Sequence, residues 1–163
     1  MQITLAVFSM ALLDPANWGN DWLWGLPLIV STVVIHVLGL GLIGRLVGAN
    51  LQRIFQYRYP MLGFGLLVGS VTLLATFLHA LEASIWALAY RGLDALPDRR
   101  HAMLYSLNAI TSYGHANLSL VDRWQLLGSL EALNGWLLFG LTTAFLFALI
   151  QRIWSWGNRH DGI

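Results

Sequence analysis

The sequence predicts an all-α integral membrane protein with three transmembrane helices. Of its 163 residues, 57% are hydrophobic and only 10% are charged, and the mean hydropathy is +0.63. Such a composition lies outside the range of ordinary soluble domains. Three apolar segments are each long enough to cross a bilayer, which takes roughly 20 residues. Eight tryptophans, several of them near the ends of these segments, are typical of the aromatic belts at membrane interfaces.

The charged residues and the absence of cysteine narrow the classes of function. Without cysteine the chain has neither disulfides nor a thiolate metal site nor a cysteine nucleophile. All nine basic residues are arginine, the net charge is +1, and no basic stripe is available for phosphates. We therefore expect no nucleic-acid partner, and we expect membrane lipids and further copies of the chain as partners.

Residues 1–21 are expected to form an N-terminal segment that lies at the membrane interface. The run up to Leu13 is apolar, and we expect a short interfacial helix that ends near Asp14 and Pro15. The run lacks the positive flank and the small-residue cleavage site of a secretory signal, so we treat it as part of the mature chain.

Residues 22–60 are expected to contain the first transmembrane helix and a cytoplasmic loop. The helix runs from about Trp22 to Gly48. The loop that follows carries basic residues and no acidic one, which places it in the cytoplasm by the positive-inside rule; these residues are Arg45, Arg53 and Arg58. Three glycines three or four residues apart favour close packing of this helix against another; they are Gly41, Gly44 and Gly48.

Residues 61–156 are expected to hold two further spans, from about Met61 to Tyr90 and from Trp124 to Trp154, and residues 157–163 form a tail. Each span carries a small-residue stripe that favours helix packing; the stripes are Gly65, Gly69, Thr72 and Thr76, and Gly140, Ala144 and Ala148. Gly135 or Gly140 could permit a bend in the last span. The arginine distribution predicts an outer N-terminus and a cytoplasmic C-terminus.

Four polar residues within the spans are candidate functional residues, since such residues usually face protein or water; they are His79, Glu82, Glu131 and Asn134. Glu82 could form a structural hydrogen bond, reach the interface or pair with Arg91. It could also support the polar segment between the last two spans. A metal site at His79 and Glu82, completed by Glu131 or His115, would point to an enzyme, but the spacing is common by chance. We therefore expect neither an enzyme nor a resident metal.

The stretch from Pro97 to Asn117 lies between two spans and is too short and too polar to cross a bilayer. Pro97 suits the first turn of a helix, and Asp98 places negative charge at its positive end. The apolar positions of that helix are Ala102, Met103, Leu104, Leu107 and Ile110. The segment Thr111–Gly114 then turns the chain back. The pattern indicates a short helix with an irregular return, a re-entrant pore loop that an assembly must enclose.

The segment from about Gly65 to Arg152 resembles the pore module of the bacterial two-helix potassium-channel-like family. Ala102-Met103-Leu104-Tyr105-Ser106-Leu107 is similar to the family's pore helix. Arg123-Trp124 is similar to the start of its inner helix, and Glu131-Ala132-Leu133-Asn134-Gly135 to the continuation of that helix. The resemblance implies a homotetramer in the bacterial inner membrane that conducts cations and needs no cofactor.

The resemblance implies that residues 111–117 form the selectivity filter: Thr111, Ser112, Tyr113, Gly114, His115, Ala116 and Asn117. In the ungapped alignment Gly114 takes the family's first glycine, Ala116 the second and Asn117 the aspartate. A gapped register would instead align Tyr113-Gly114 with the family's Tyr-Gly. Because Ala116 and Asn117 depart from the pattern, the transported ion is K⁺ with Na⁺ as the second candidate. A non-conducting subunit that keeps the fold is the alternative.

His115 adds a hypothesis of proton sensitivity. A ring of four imidazoles near the pore mouth would gain positive charge on acidification and repel cations. Alternatively, His115 forms a hydrogen bond behind the filter.

Overall fold

The computed structural model describes the backbone of residues 15–55, 60–114 and 117–160, and side chains over 18–49, 61–114 and 117–153. These ranges contain four α-helices and no strand; the helices are α1 (Pro15–Phe55), α2 (Pro60–Gly92), α3 (Arg99–Ile110) and α4 (Gln125–His160). A 3₁₀ turn, Asp122–Trp124, leads directly into α4.

Three of the helices are long and apolar enough to cross a membrane, and α3 is too short. The candidate spans are Trp18–Ala49, Met61–Gly92 and Asp122–Ile153. They lie within a few residues of the predicted spans, so the all-helical class and the presence of three helices long and apolar enough to span a membrane are confirmed.

The first helix is longer than predicted at both ends. Pro15 is its first residue rather than the end of a preceding helix, which suits proline because the first N–H of a helix has no internal partner. The expected interfacial helix before it lies outside the described residues. At the other end the helix continues to Phe55, through much of the expected loop, because positions 49–55 contain no glycine or proline.

The helices pack so that α1 contacts both α2 and α4, while α3 lies between α2 and α4. One core cluster lies at the α3 end of the bundle and contains Trp86, Tyr90, Tyr105, Trp124 and Leu127. A second lies toward the other end and contains Leu40, Ile43, Val71, Leu149 and Ile153. α1 is therefore held by two helices.

The N-terminus of α3 is capped by Asp98, whose side chain accepts a hydrogen bond of 2.9 Å from the backbone N–H of His101. Pro97 precedes the cap, so the prediction that it opens the first turn was wrong by two positions. The same hydrogen bond lowers the pKa of the exposed Asp98 carboxyl below its ordinary value, because it stabilises the charged form.

The buried face of α3 also differs from the predicted apolar face. The buried residues are Ala102, Tyr105, Ser106, Ala109 and Ile110. Leu104 and Leu107, which the sequence places on the apolar face, are exposed. Tyr105 and Ser106 instead contact Gly128 and Glu131 of α4, and leucines exposed to lipid cost little because lipid is as apolar as their side chains.

Candidate functional site

The carboxyl end of α3 reaches the middle of the third span. A Cβ added at Gly128 would lie 2.1 Å from the hydroxyl oxygen of Tyr105, and one added at Gly135 would lie 2.0 Å from the carbonyl oxygen of Ile110. Because Gly128 is near the start of α4 and Gly135 near the midpoint of Asp122–Ile153, α3 descends along α4 from one membrane edge toward the centre.

A Schellman motif ends α3. The N–H of Ser112 donates to the carbonyl of Ala109, and the N–H of Tyr113 donates to the carbonyl of Asn108, both at 2.9 Å. Ser112 occupies the left-handed position of this motif with φ of 53°, and Gly114 follows with φ of 95°. Among the described residues only Asp94 and Ser112 are non-glycine residues with positive φ, so the sign of φ alternates from Thr111 to Gly114.

The residues of the predicted filter that the structure describes are exposed; they are Thr111, Ser112, Tyr113, Gly114 and Asn117. Tyr113 is 85% exposed. The other two, His115 and Ala116, lie outside the described residues. Ser112 accepts a hydrogen bond of 2.9 Å from the indole N–H of Trp136 on α4, which ties the start of the loop to the third span.

Glu131, predicted as intramembrane polar support, is fully buried on α4 behind α3. Its Oε2 accepts a hydrogen bond of 2.6 Å from the hydroxyl of Tyr90, and its Oε1 bonds the hydroxyl of Ser106. Ser106 also lies 2.7 Å from the carbonyl oxygen of Ala83, which can only accept. Ser106 has one hydrogen and two acceptors within reach, the carbonyl of Ala83 and the carboxyl of Glu131. When Ser106 donates to Ala83, a protonated Glu131 donates to Ser106, so the contacts fit a neutral Glu131.

The neutral state of Glu131 leads to a prediction. Glu131→Gln should leave thermal unfolding in detergent close to that of the wild type, because the amide can donate to Ser106 and accept from Tyr90. Glu131→Met, of similar shape, should destabilise by about 1–3 kcal/mol because the Tyr90 hydroxyl loses its partner. Equal destabilisation by both substitutions would contradict a protonated carboxyl group.

Glu82 and His79, also predicted as polar support, meet a residue that sequence reasoning missed, His36 of α1. Glu82 Oε1 lies 2.8 Å from His36 Nδ1, and Oε2 lies 3.3 Å from His79 Nδ1. Thr142 of α4 lies between the two rings on the other side, 3.0 Å from His36 Nε2 and 3.1 Å from His79 Nε2. Glu82 is fully buried and does not pair with Arg91, which donates to the carbonyl of Leu96 instead.

Two more polar contacts join α1 to α4. Asn134, the fourth predicted support residue, donates a hydrogen bond of 2.8 Å to the hydroxyl of Thr32. Asp21 accepts a hydrogen bond of 2.8 Å from the backbone N–H of Leu127 and so caps the first turn of α4 from another helix. Sequence reasoning missed Asp21 and His36. His36 could have been found as an ionisable residue inside an apolar span, whereas Asp21 lies just before the predicted start of that span.

The glycines divide into close-packed and open positions. A Cβ added at Gly44 would lie 3.4 Å from Phe145 and one added at Gly48 3.7 Å from Arg152, both ordinary contacts with α4, while a Cβ added at Gly41 would meet no described atom within 4 Å. Of the two candidate bend positions, Gly135 abuts the backbone of α3, and Gly140 is open; α4 is assigned as one continuous helix.

A cavity of about 440 Å³ lies between the loop and the second and third spans. Thr111 and Ser112 line it from the loop, His79 from α2 and Trp136 from α4. The exposed edge of the histidine cluster and the start of the predicted filter therefore share one space.

Comparison of the chain with protein-family models, with curated proteins and with solved structures gave no significant match. The resemblance to the potassium-channel-like family therefore depends on the residues quoted above.

Proposed function

We propose that the protein is a cation channel of the potassium-channel type, in which four copies arrange residues 111–117 around a common axis. The observation that carries this proposal is the descent of α3 to the middle of the third span, where it ends in an exposed loop. Irregular backbone at membrane depth must be enclosed by protein or line a water-filled space. A ring of such loops meets this requirement and creates an aqueous path.

The open faces of the helices support an assembly of several copies. The predicted small-residue stripes of α2 and α4 are exposed in the single chain. A Cβ added at Gly65, Gly69 or Gly140 would meet no described atom within 4 Å. The hydroxyls of Thr72 and Thr76 bond to their own helix, which leaves the surface smooth enough for another helix. Leu104 and Leu107 of α3 offer further apolar area to a neighbour.

Backbone groups of the loop would supply the cation site. The negative end of the α3 dipole would favour a cation in the central space. The sign of φ alternates over 111–114, and an alternating backbone is what a filter would need to direct successive carbonyls toward one axis. Asn117 stands where the filter of the potassium-channel-like family has an aspartate. K⁺ and Na⁺ would therefore enter a pore mouth that has no fixed negative charge at this position.

The orientation is proposed from the arginines. Arg45 lies near the carboxyl end of the first span, and Arg53 and Arg58 follow it; Arg152 lies at the carboxyl end of the third span, and Arg159 follows it. The carboxyl ends of these two spans would therefore be cytoplasmic. The N-terminus would lie outside a bacterial inner membrane, and the end of α3 would be entered from the outer side.

The test is ion flux from liposomes that contain the purified protein, with matched K⁺ and Na⁺ gradients. We expect cation flux that requires the protein and stops when Gly114 is replaced. Faster K⁺ than Na⁺ flux would indicate that the carbonyl sites keep their shape next to Ala116, and equal rates a relaxed filter. No flux of either ion from a folded tetramer would overturn the proposal in favour of a non-conducting subunit.

A further inference from the structure

The histidine cluster combines ligand types and distances suited to a metal ion. His36, His79 and Glu82 each offer a ligand atom, and these atoms all lie within 4.8 Å of one another. We propose that this cluster binds a divalent transition cation of the zinc class through His36 Nδ1, His79 Nδ1 and the Glu82 carboxylate. The inference goes beyond the proposed conduction and does not depend on it.

Each carboxylate oxygen of Glu82 lies close to the Nδ1 atom of one histidine, at a separation comparable with that between two ligand atoms on a zinc ion. Zinc lies about 2.0–2.2 Å from imidazole nitrogen and carboxylate oxygen, so neighbouring ligand atoms in a tetrahedral site are about 3.4 Å apart. The observed separations are 2.8 Å from His36 Nδ1 to Glu82 Oε1 and 3.3 Å from His79 Nδ1 to Oε2. Two imidazoles with one carboxylate are also a donor set that zinc accepts in three-ligand sites.

The hydrogen count around Thr142 fits a cation on the Nδ1 side. With the ion on both Nδ1 atoms, each Nε2 carries the ring hydrogen, and both can donate to the two lone pairs of Thr142 Oγ1. This arrangement fixes the tautomer and orientation of both rings, as outer hydrogen bonds to metal-binding histidines do. Thr142 would thus act as a positioning residue for both ligands.

Glu82 supplies an independent observation. It is fully buried, and its Oε2 has no hydrogen-bond partner among the described residues, although it lies near His79 Nδ1. A buried carboxylate oxygen without a partner is costly, and a bound cation would remove that cost. Both Nδ1 atoms lie next to the Glu82 carboxylate, that of His36 2.8 Å from Oε1 and that of His79 3.3 Å from Oε2.

The cluster is open on one side. His36 is fully buried, whereas the side chain of His79 is 26% exposed and lines the cavity of about 440 Å³. An ion could enter from that cavity, which leaves room on the exposed side of His79 for a fourth ligand.

The experiment is a titration of chelator-treated, purified protein in detergent with Zn²⁺ by calorimetry, and with Co²⁺ by visible absorption. We expect one ion per chain and the absorption bands of four-coordinate Co²⁺. Thr142→Val, which keeps the shape of the side chain, should weaken binding about 10–100-fold by removing the acceptor of both rings. His36→Ala and His79→Ala should each abolish stoichiometric binding.

The matched control is His101→Ala, which removes an exposed histidine paired with Asp98 outside the spans. Its binding should equal that of the wild type. Absence of stoichiometric Zn²⁺ binding by folded wild-type protein would overturn the proposal, as would unchanged binding in Thr142→Val and in both alanine variants. Binding is measured without flux, so a failed metal site and a failed channel give different results.

Discussion

Gly135→Ala is expected to destabilise the protein more than a glycine-to-alanine substitution at any other described helix position. The new Cβ would lie 2.0 Å from the carbonyl oxygen of Ile110 and 2.7 Å from its carbonyl carbon. Because these are backbone atoms, no side-chain rotation relieves the overlap, and α3 has to move away from α4. Overpacking of this kind costs about 1–3 kcal/mol or more, and thermal unfolding in detergent measures it.

The matched control for Gly135→Ala is Gly41→Ala. An added Cβ at Gly41 would meet no described atom within 4 Å, and alanine favours a helix over glycine by about 0.5–1 kcal/mol. We therefore expect Gly41→Ala to be neutral or stabilising. If Gly135→Ala were as stable as this control, the close approach of α3 to the middle of α4 would be disproved.

Gly114→Val is expected to abolish cation flux while leaving the assembly intact. Gly114 has a φ of 95°, which a β-branched residue adopts only with strain, and each left-handed residue with a Cβ costs about 1–2 kcal/mol. In a tetramer the strain occurs four times around one pore. The loop should then leave its conformation, whereas packing of the helices, which does not involve Gly114, persists. Flux from liposomes and size-exclusion chromatography separate the two effects.

Ser112→Gly provides the comparison for Gly114→Val. Ser112 also has a positive φ, of 53°, which glycine adopts freely. We therefore expect Ser112→Gly to preserve flux, although it removes the acceptor of the hydrogen bond from the indole of the exposed Trp136. Persistent flux in Gly114→Val would remove Gly114 from the conduction path. Loss of flux in Ser112→Gly as well would show that the loop also needs the hydrogen bond from Trp136.

The spans could be predicted from the sequence because transfer of a helix into lipid depends on local composition. Each predicted span lies within a few residues of the observed one. The buried face of α3 could not be predicted in the same way. The apolar residues of α3 suggested a buried face that includes Leu104 and Leu107. The face that is buried instead contacts Glu131 and Gly128 on another helix.

The candidate site was predictable only in part for the same reason. Glu82 stood out as a charged residue in a span, yet its partner His36 lies 46 residues earlier, and Thr142 lies 106 residues after His36. Separations of this size follow from how the helices pack. Sequence reasoning selected single polar residues and could not pair them.

The hydrogen bonds that α1 makes with later helices constrain how the chain is made. Asp21, Thr32 and His36 contact Leu127, Asn134 and Glu82, all of which leave the ribosome after α1 is complete. Until then the buried His36 lacks both of its partners, Glu82 and Thr142, and lipid supplies none, whereas Thr32 already donates to the carbonyl of Leu28 in its own helix. We therefore expect α1 to reach its final packing only after α4 has been synthesised.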